Sequence, residues 1–266
     1  MKVILFILLL RFSLIDYAQE NSNSTKTIHL GTGPAHVSLQ DKVFSPLVYR
    51  GTGVSIDLGF CDKKNRRKHY VHANILTQQL SPSLNEASTT TIQNTHLSMD
   101  YEYAILLKEK KWKYHLGGGF YNFLSVRNIQ FTIGDEVGLD WFSSVNMLFL
   151  GSRIFNQKHI VSFVMSSSLF SYVIGRMKVP RYLPQDVIQS LANDPDRFPV
   201  GRLLRAGDFL TLMDFFDIRT SFSYLLRVSE AWGIGFTYHF RYYQYPKFMD
   251  VQYGLSQYHF ILAYQF

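Results

Sequence analysis

The chain ends Ser256-Gln257-Tyr258-His259-Phe260-Ile261-Leu262-Ala263-Tyr264-Gln265-Phe266. Tyr258, Phe260, Leu262, Tyr264 and Phe266 fall on one side of a two-residue period, and Gln257, His259, Ile261, Ala263 and Gln265 on the other. Successive strand side chains point to opposite faces, so the stretch predicts a strand with one wholly apolar face and one mostly polar face. The segment before it repeats the pattern. Trp232, Ile234, Phe236, Tyr238, Phe240 and Tyr242 alternate with Gly233, Gly235, Thr237, His239 and Arg241.

Working back from there, ten segments carry this alternation: 27–39, 51–60, 69–80, 92–107, 112–124, 137–152, 159–172, 214–227, 232–243 and 256–266. The first is weakened by Gly31, Gly33 and Pro34, because such residues interrupt a strand. The eighth is compatible with a start near Phe209. Counts of eight to twelve therefore fit the pattern. The connections alternate in length. Short charged turns at 61–68, 108–111, 153–158 and 228–231 interleave with longer loops at 40–50, 81–91, 125–136, 176–208 and 244–255. With ten strands, both termini and every short turn fall on the same side.

Composition narrows the class. Aromatic residues make up 16% of 266 residues, yet no apolar run reaches 18 residues, so no helix of the usual spanning length is expected. Scattered apolar residues at strand period are the signal of a sheet that closes on itself in lipid. The formal charge is +7, collected in the turns. No recognisable nucleic-acid module accompanies it, and no nucleic-acid partner is expected. Cys61 is the single cysteine, which excludes an intramolecular disulfide and a cysteine-based zinc site. Met1 to Ala18, with Lys2 before the apolar run Val3–Leu10, reads as a secretory signal. The expected organisation is a leader at 1–18 and one domain at 19–266.

The fold these features predict is all-β: a closed antiparallel up-and-down transmembrane β-barrel of about ten strands. A soluble sandwich or lipocalin-like barrel also alternates but turns its apolar face inward, and periodicity alone does not separate inside from outside. The leader, the terminal Phe266 and the all-aromatic face of 232–242 favour the membrane. Asp57, Asp100, Glu102, Lys113, Asp140, Arg219 and Arg241 would then face the lumen. Trp112, Trp141 and Trp232 would face outward near strand ends, as an interfacial girdle does.

Through Tyr258-x-Phe260-x-Leu262-x-Tyr264-x-Phe266 and the strand-and-turn rhythm, the chain resembles the general class of small outer-membrane β-barrel proteins of Gram-negative-type cells. The resemblance implies export to the cell outer membrane, a terminal strand read by the barrel-assembly machinery, and contact with outer-membrane lipid and glycolipid. It implies no activity, since one fold hosts many functions.

Three readings of function follow. The leading one is a non-enzymatic barrel that supports surface structure or binding through its external loops, with room for a narrow passage. A second is an outer-membrane lipid hydrolase. His96 and Ser98 share a strand face with Asp100 and Glu102, and a serine nucleophile needs a base and an orienting acid. This His-x-Ser pair is similar to that of outer-membrane lipid A deacylases, but its register points into the lumen rather than at lipid. A third is a small-solute or lipid channel. Inside the barrel, Asp100, Glu102, Asp140 and Asp217 are expected to neutralise Lys113, Arg219, Arg227 and Arg241 as a buried salt-bridge network. No cofactor and no metal site is singled out. The segment 176–208, basic and proline-bearing with Val187, Ile188 and Leu191 on one helical face, is expected to fold over the mouth and touch surface glycolipid or a partner protein.

The terminal strand yields a test. Deleting Phe266 should lower the amount of heat-modifiable, folded barrel several-fold while export across the inner membrane continues. Normal assembly of the truncated chain would contradict the reading.

Overall fold

The structure, a computed structural model, describes residues 24–42, 45–83, 91–131, 134–174, 207–245 and 251–266. The expected leader and nearly all of the long segment 176–208 lie outside the described residues. Eleven strands run in chain order: β1 Ser24–Asp41, β2 Ser45–Lys64, β3 Arg67–Pro82, β4 Thr91–Glu109, β5 Lys113–Phe131, β6 Gly134–Phe155, β7 His159–Ile174, β8 Asp208–Thr211, β9 Phe216–Arg227, β10 Trp232–Tyr245 and β11 Val251–Gln265. Each pairs antiparallel with its neighbours, and β1 pairs with β11 from Thr27↔Gln265 to Asp41↔Val251, which closes the sheet. β8 and β9 both pair with β7, at Phe170–Val173 and His159–Ser167 respectively. They form one stave, interrupted where the amides of Asp214 and Phe215 turn back to the Thr211 carbonyl. The barrel therefore has ten staves.

Closure reaches the last residue. The Phe266 amide donates to the Lys26 carbonyl at 2.9 Å, and the Lys26 amide donates to the Phe266 carbonyl at 3.1 Å. The tight ends of two hairpins, β2–β3 and β6–β7, follow local chemistry. Asn65, Asn156 and Gln157 adopt positive φ of 53°, 47° and 58°, the left-handed region that Asn tolerates better than most residues.

The apolar face points out. Ile28, Leu30, Ile56, Leu58, Leu97, Met147, Ile234, Phe260 and Leu262 are all exposed, while Asp57, Asn74, His96, Asp217 and His259 are buried inside. This is the arrangement of a sheet solvated by hydrocarbon, not of a soluble barrel.

Several strands outrun the alternation read from the sequence. Ser45–Arg50, Ser125–Phe131, Gly134–Glu136 and Val251–Leu255 are strand rather than loop. The reason, seen on β1 and β11, is an inversion of polarity along the stave. On β1, Ile28 and Leu30 face out and His29 and Gly31 face in; further on, His36 faces out and Ala35, Val37 and Leu39 are buried inside. β11 inverts likewise, with Val251, Tyr253 and Leu255 inward and Tyr258, Phe260 and Leu262 outward. About 9–11 residues suffice to cross a bilayer, so strands of 16 to 22 residues stand well clear of it. Outside hydrocarbon the outer face meets water and the inner face must supply the core. The alternation persists, but its hydrophobic partner changes sides, and a search for one continuous apolar face stops at the change.

Ile56 tests this orientation. Ile56→Arg, on the lipid face, should destabilise the barrel by roughly 2–4 kcal/mol, read as a shifted urea midpoint for refolding into lipid vesicles. An unchanged midpoint would place Ile56 outside the hydrocarbon.

Candidate functional site

The lumen has two parts. In the half towards the longer connections it is filled. Phe123 and Phe142 stack at 4.7 Å, Tyr243 and Tyr253 stack at 4.6 Å, and Phe215 packs on Phe142 at 5.2 Å. Val37, Leu39, Leu76, Leu80, Ile92 and Ile129 join the same cluster, each almost wholly buried. Arg241 runs through its base. Its guanidinium donates to both Asp217 oxygens at 3.0 and 3.3 Å and to the Tyr121 hydroxyl at 2.7 Å. Arg219, directly opposite on β9, lies 3.9 Å from the Tyr121 ring centroid, with Arg241 4.7 Å from it. Cations favour the negative face of an aromatic ring, and each of these carries its own carboxylate: Arg219 donates to Asp100 at 3.4 Å.

Below this plug is a chamber of about 470 Å³. It runs from the turn at 228–231, past Lys63, Lys68 and Lys113, up to Tyr121, Phe123 and Arg241. Its wall carries a cluster of histidines around Asp57. Asp57 Oδ2 lies 3.3 Å from His29 Nε2, and Oδ1 contacts His72 Nε2. His72 Nδ1 is 3.6 Å from Asp100 Oδ1. His239 neighbours both His72 and His259, with ring centroids 5.7 and 5.3 Å away. Ser55 Oγ and His259 Nε2 are 2.5 Å apart. Two groups, His29–Asp57–His72 and Asp57–His239–His259, each place three donor atoms within 4.8 Å of one another.

The fold assembles this cluster from five consecutive staves, β3, β2, β1, β11 and β10. Each member sits between two residues that face the other way: His29 between Ile28 and Leu30, Asp57 between Ile56 and Leu58, His259 between Tyr258 and Phe260. Gly59 makes room, because a Cβ there would come within 2.0 Å of the His29 ring.

The residues singled out in the sequence are distributed as follows. His96 is buried and shares a hydrogen bond with the Tyr253 hydroxyl, 3.0 Å from Nδ1 and 3.2 Å from Nε2. Its ring packs on Phe123 at 5.4 Å. Ser98 and Glu102 line the chamber, but no hydrogen bond joins His96 to Ser98 among the described residues. Of the charged residues, Asp100 meets Arg219 and Asp217 meets Arg241. Asp140 contacts Arg127, which also lies 3.6 Å from Asp41; Arg127 escaped notice because its strand read as a loop. Lys113 lies at the chamber rim and contacts Glu109 rather than a lumen acid. Trp232 is exposed against Tyr264, ring centroids 4.8 Å apart. Trp112 occupies the β4–β5 turn, and Trp141 lies within β6 rather than at its end, both half-buried. Tyr258, Phe260, Leu262, Tyr264 and Phe266 are all exposed on the outer face.

The outer-membrane protease OmpT from Escherichia coli superposes with a TM-score of 0.55, covering 94% of this chain and 99% of that one at 8% identity. The chain has the fold of an outer-membrane β-barrel. The translocator domain of the autotransporter NalP from Neisseria meningitidis, at 9% identity with 96% and 93% covered, gives 0.44. Ail of Yersinia pestis, at 9% identity with 91% and 99% covered, gives 0.36. No family model matches the chain, and neither does any curated protein sequence.

The plug carries its own test. Arg241→Met leaves Asp217 charged and buried, which should cost about 3–5 kcal/mol. Adding Asp217→Asn should recover part of that loss in urea titrations. Strictly additive losses would show that the two side chains do not depend on one another.

Proposed function

We propose that the protein is an exported, non-conducting outer-membrane barrel that acts through what it displays at its ends. The observation supporting this is the plug. Stacked rings and aliphatic side chains fill the lumen between the chamber and the longer connections, and a barrel of about this strand number has little interior to spare once side chains occupy it. A solute entering the chamber would meet Tyr121, Phe123 and the paired Arg241 rather than a continuous path.

Orientation follows from the class geometry, in which short turns face the periplasm and long connections the exterior. The chamber then opens to the periplasm, and the segment 176–208 belongs to the cell surface. Its arginines suit bidentate contact with phosphate, which supports glycolipid or a partner protein as what it touches. The hydrolase reading lacks support from His96, whose partner is Tyr253 and not Ser98.

Planar-bilayer recording tests the proposal. Purified barrels should insert without stable unitary currents. Discrete reproducible steps from the folded, heat-modifiable form would refute it. Excising 187–197 should leave that form intact and remove binding to glycolipid-containing vesicles; unchanged binding would reduce the segment to a spacer.

A further inference from the structure

We propose that the chamber wall is a binding site for one divalent transition-metal ion, held by His29, Asp57 and His72. Three independent features lead there.

The first is donor geometry. Bonds of about 2.0–2.1 Å to imidazole nitrogen and 2.0–2.2 Å to carboxylate oxygen put neighbouring donors on a tetrahedral ion about 3.3 Å apart. His29 Nε2 and Asp57 Oδ2 are already 3.3 Å apart, and His72 Nε2 needs only to withdraw slightly from Oδ1. His29 and His72 both line the chamber, so a fourth position faces solvent rather than protein. Imidazole with a single carboxylate suits zinc-class ions and not calcium or magnesium, which take oxygen ligands.

The second is the layer behind the donors. His72 turns Nδ1 towards Asp100, and Asp100 is in turn held by Arg219. A ligating histidine whose other nitrogen meets a carboxylate has its tautomer and ring orientation set for the metal. Asn74 Nδ2 donates to Asp57 Oδ1 at 3.5 Å, which steadies the carboxylate.

The third is what lacks a partner. Asp57 Oδ2, on a wholly inaccessible residue, has no hydrogen-bond partner among the described residues. Buried polar atoms are rarely left so, and this one belongs to the proposed ligand set. Charge agrees. The charged partners of Asp57 among the described residues are histidines, while the guanidinium groups of Arg219 and Arg241 are engaged by Asp100 and Asp217. The rim lysines stand off: Lys68 is four residues from His72 along β3, about 13 Å at strand rise.

The test uses the full chain, folded in detergent, stripped with chelator and dialysed against ZnCl2, CoCl2 or CaCl2. One Zn2+ per barrel is expected, with Co2+ giving visible absorption bands of nitrogen-ligated, low-symmetry coordination and Ca2+ not competing. His72→Ala and Asp57→Asn should lose stoichiometric binding. Asp100→Asn should weaken it about 10–100-fold. Gly59→Ala should weaken it too, by displacing the His29 ring while keeping every ligand. His36→Ala, on the outer face, should change nothing. Heat-modifiable migration confirms that each variant is folded. The proposal fails if folded wild-type barrels hold no more Zn2+ than a His29→Ala/His72→Ala double variant, or if Ca2+ displaces the ion. It fails also if binding is lost with His239→Ala and His259→Ala but survives His72→Ala; the ion would then sit on the other triad.

Discussion

Hydrocarbon offers no hydrogen bonds, so each backbone amide and carbonyl at that depth must find its partner within the sheet. That requirement is met by the pairing of β1 with β11, from Thr27↔Gln265 to Asp41↔Val251, and everything else follows from it. Closure gives the sheet an inside. The two-residue period then assigns every side chain to lipid or lumen with no intermediate choice. A residue whose neighbours are Ile28 and Leu30 must face inward whatever its chemistry, and His29 does.

Much of this was legible from residue order. Parity on 232–243 and 256–266 placed His239, Arg241 and His259 inside and the aromatics outside, and the alternation of turn lengths gave ten staves. The limits of each strand were not legible, because β1 and β11 exchange their apolar face part-way along. Both Val37 and Leu30 are apolar strand residues, yet one is core and the other lipid-facing. A pattern that inverts reads as a pattern that ends. The break at Thr211–Phe215, which splits one stave into β8 and β9, left only an ambiguous start near Phe209.

The site was less visible. His29, Asp57, His72, His239 and His259 span most of the chain and share no motif spacing. Their proximity comes from barrel order, where the first three strands meet the last two through the β1–β11 seam. A signal did exist: single His or Asp residues set between two apolar neighbours on strands that otherwise read as greasy. The charge network was half legible. Parity sends acids and arginines inward, but which acid meets which base depends on distances across the lumen. Arg219 reaches Asp100 from the far side of the sheet order, and no strand pattern encodes that.

The polarity inversion also acts as a waterline. On the two strands of the seam the inversions are in register: Ala35 on β1 pairs with Gln257 on β11, and Val37 with Leu255. They mark a level on the barrel wall, like the painted mark on a hull. Raising the barrel would lift Leu30 and Phe260 into water, and lowering it would drag His36 into oil. Tilting it would do both on opposite sides. The molecule is therefore trimmed as well as anchored, and the chamber, the plug and the protruding rim are each held at a set draught by side chains that touch none of them.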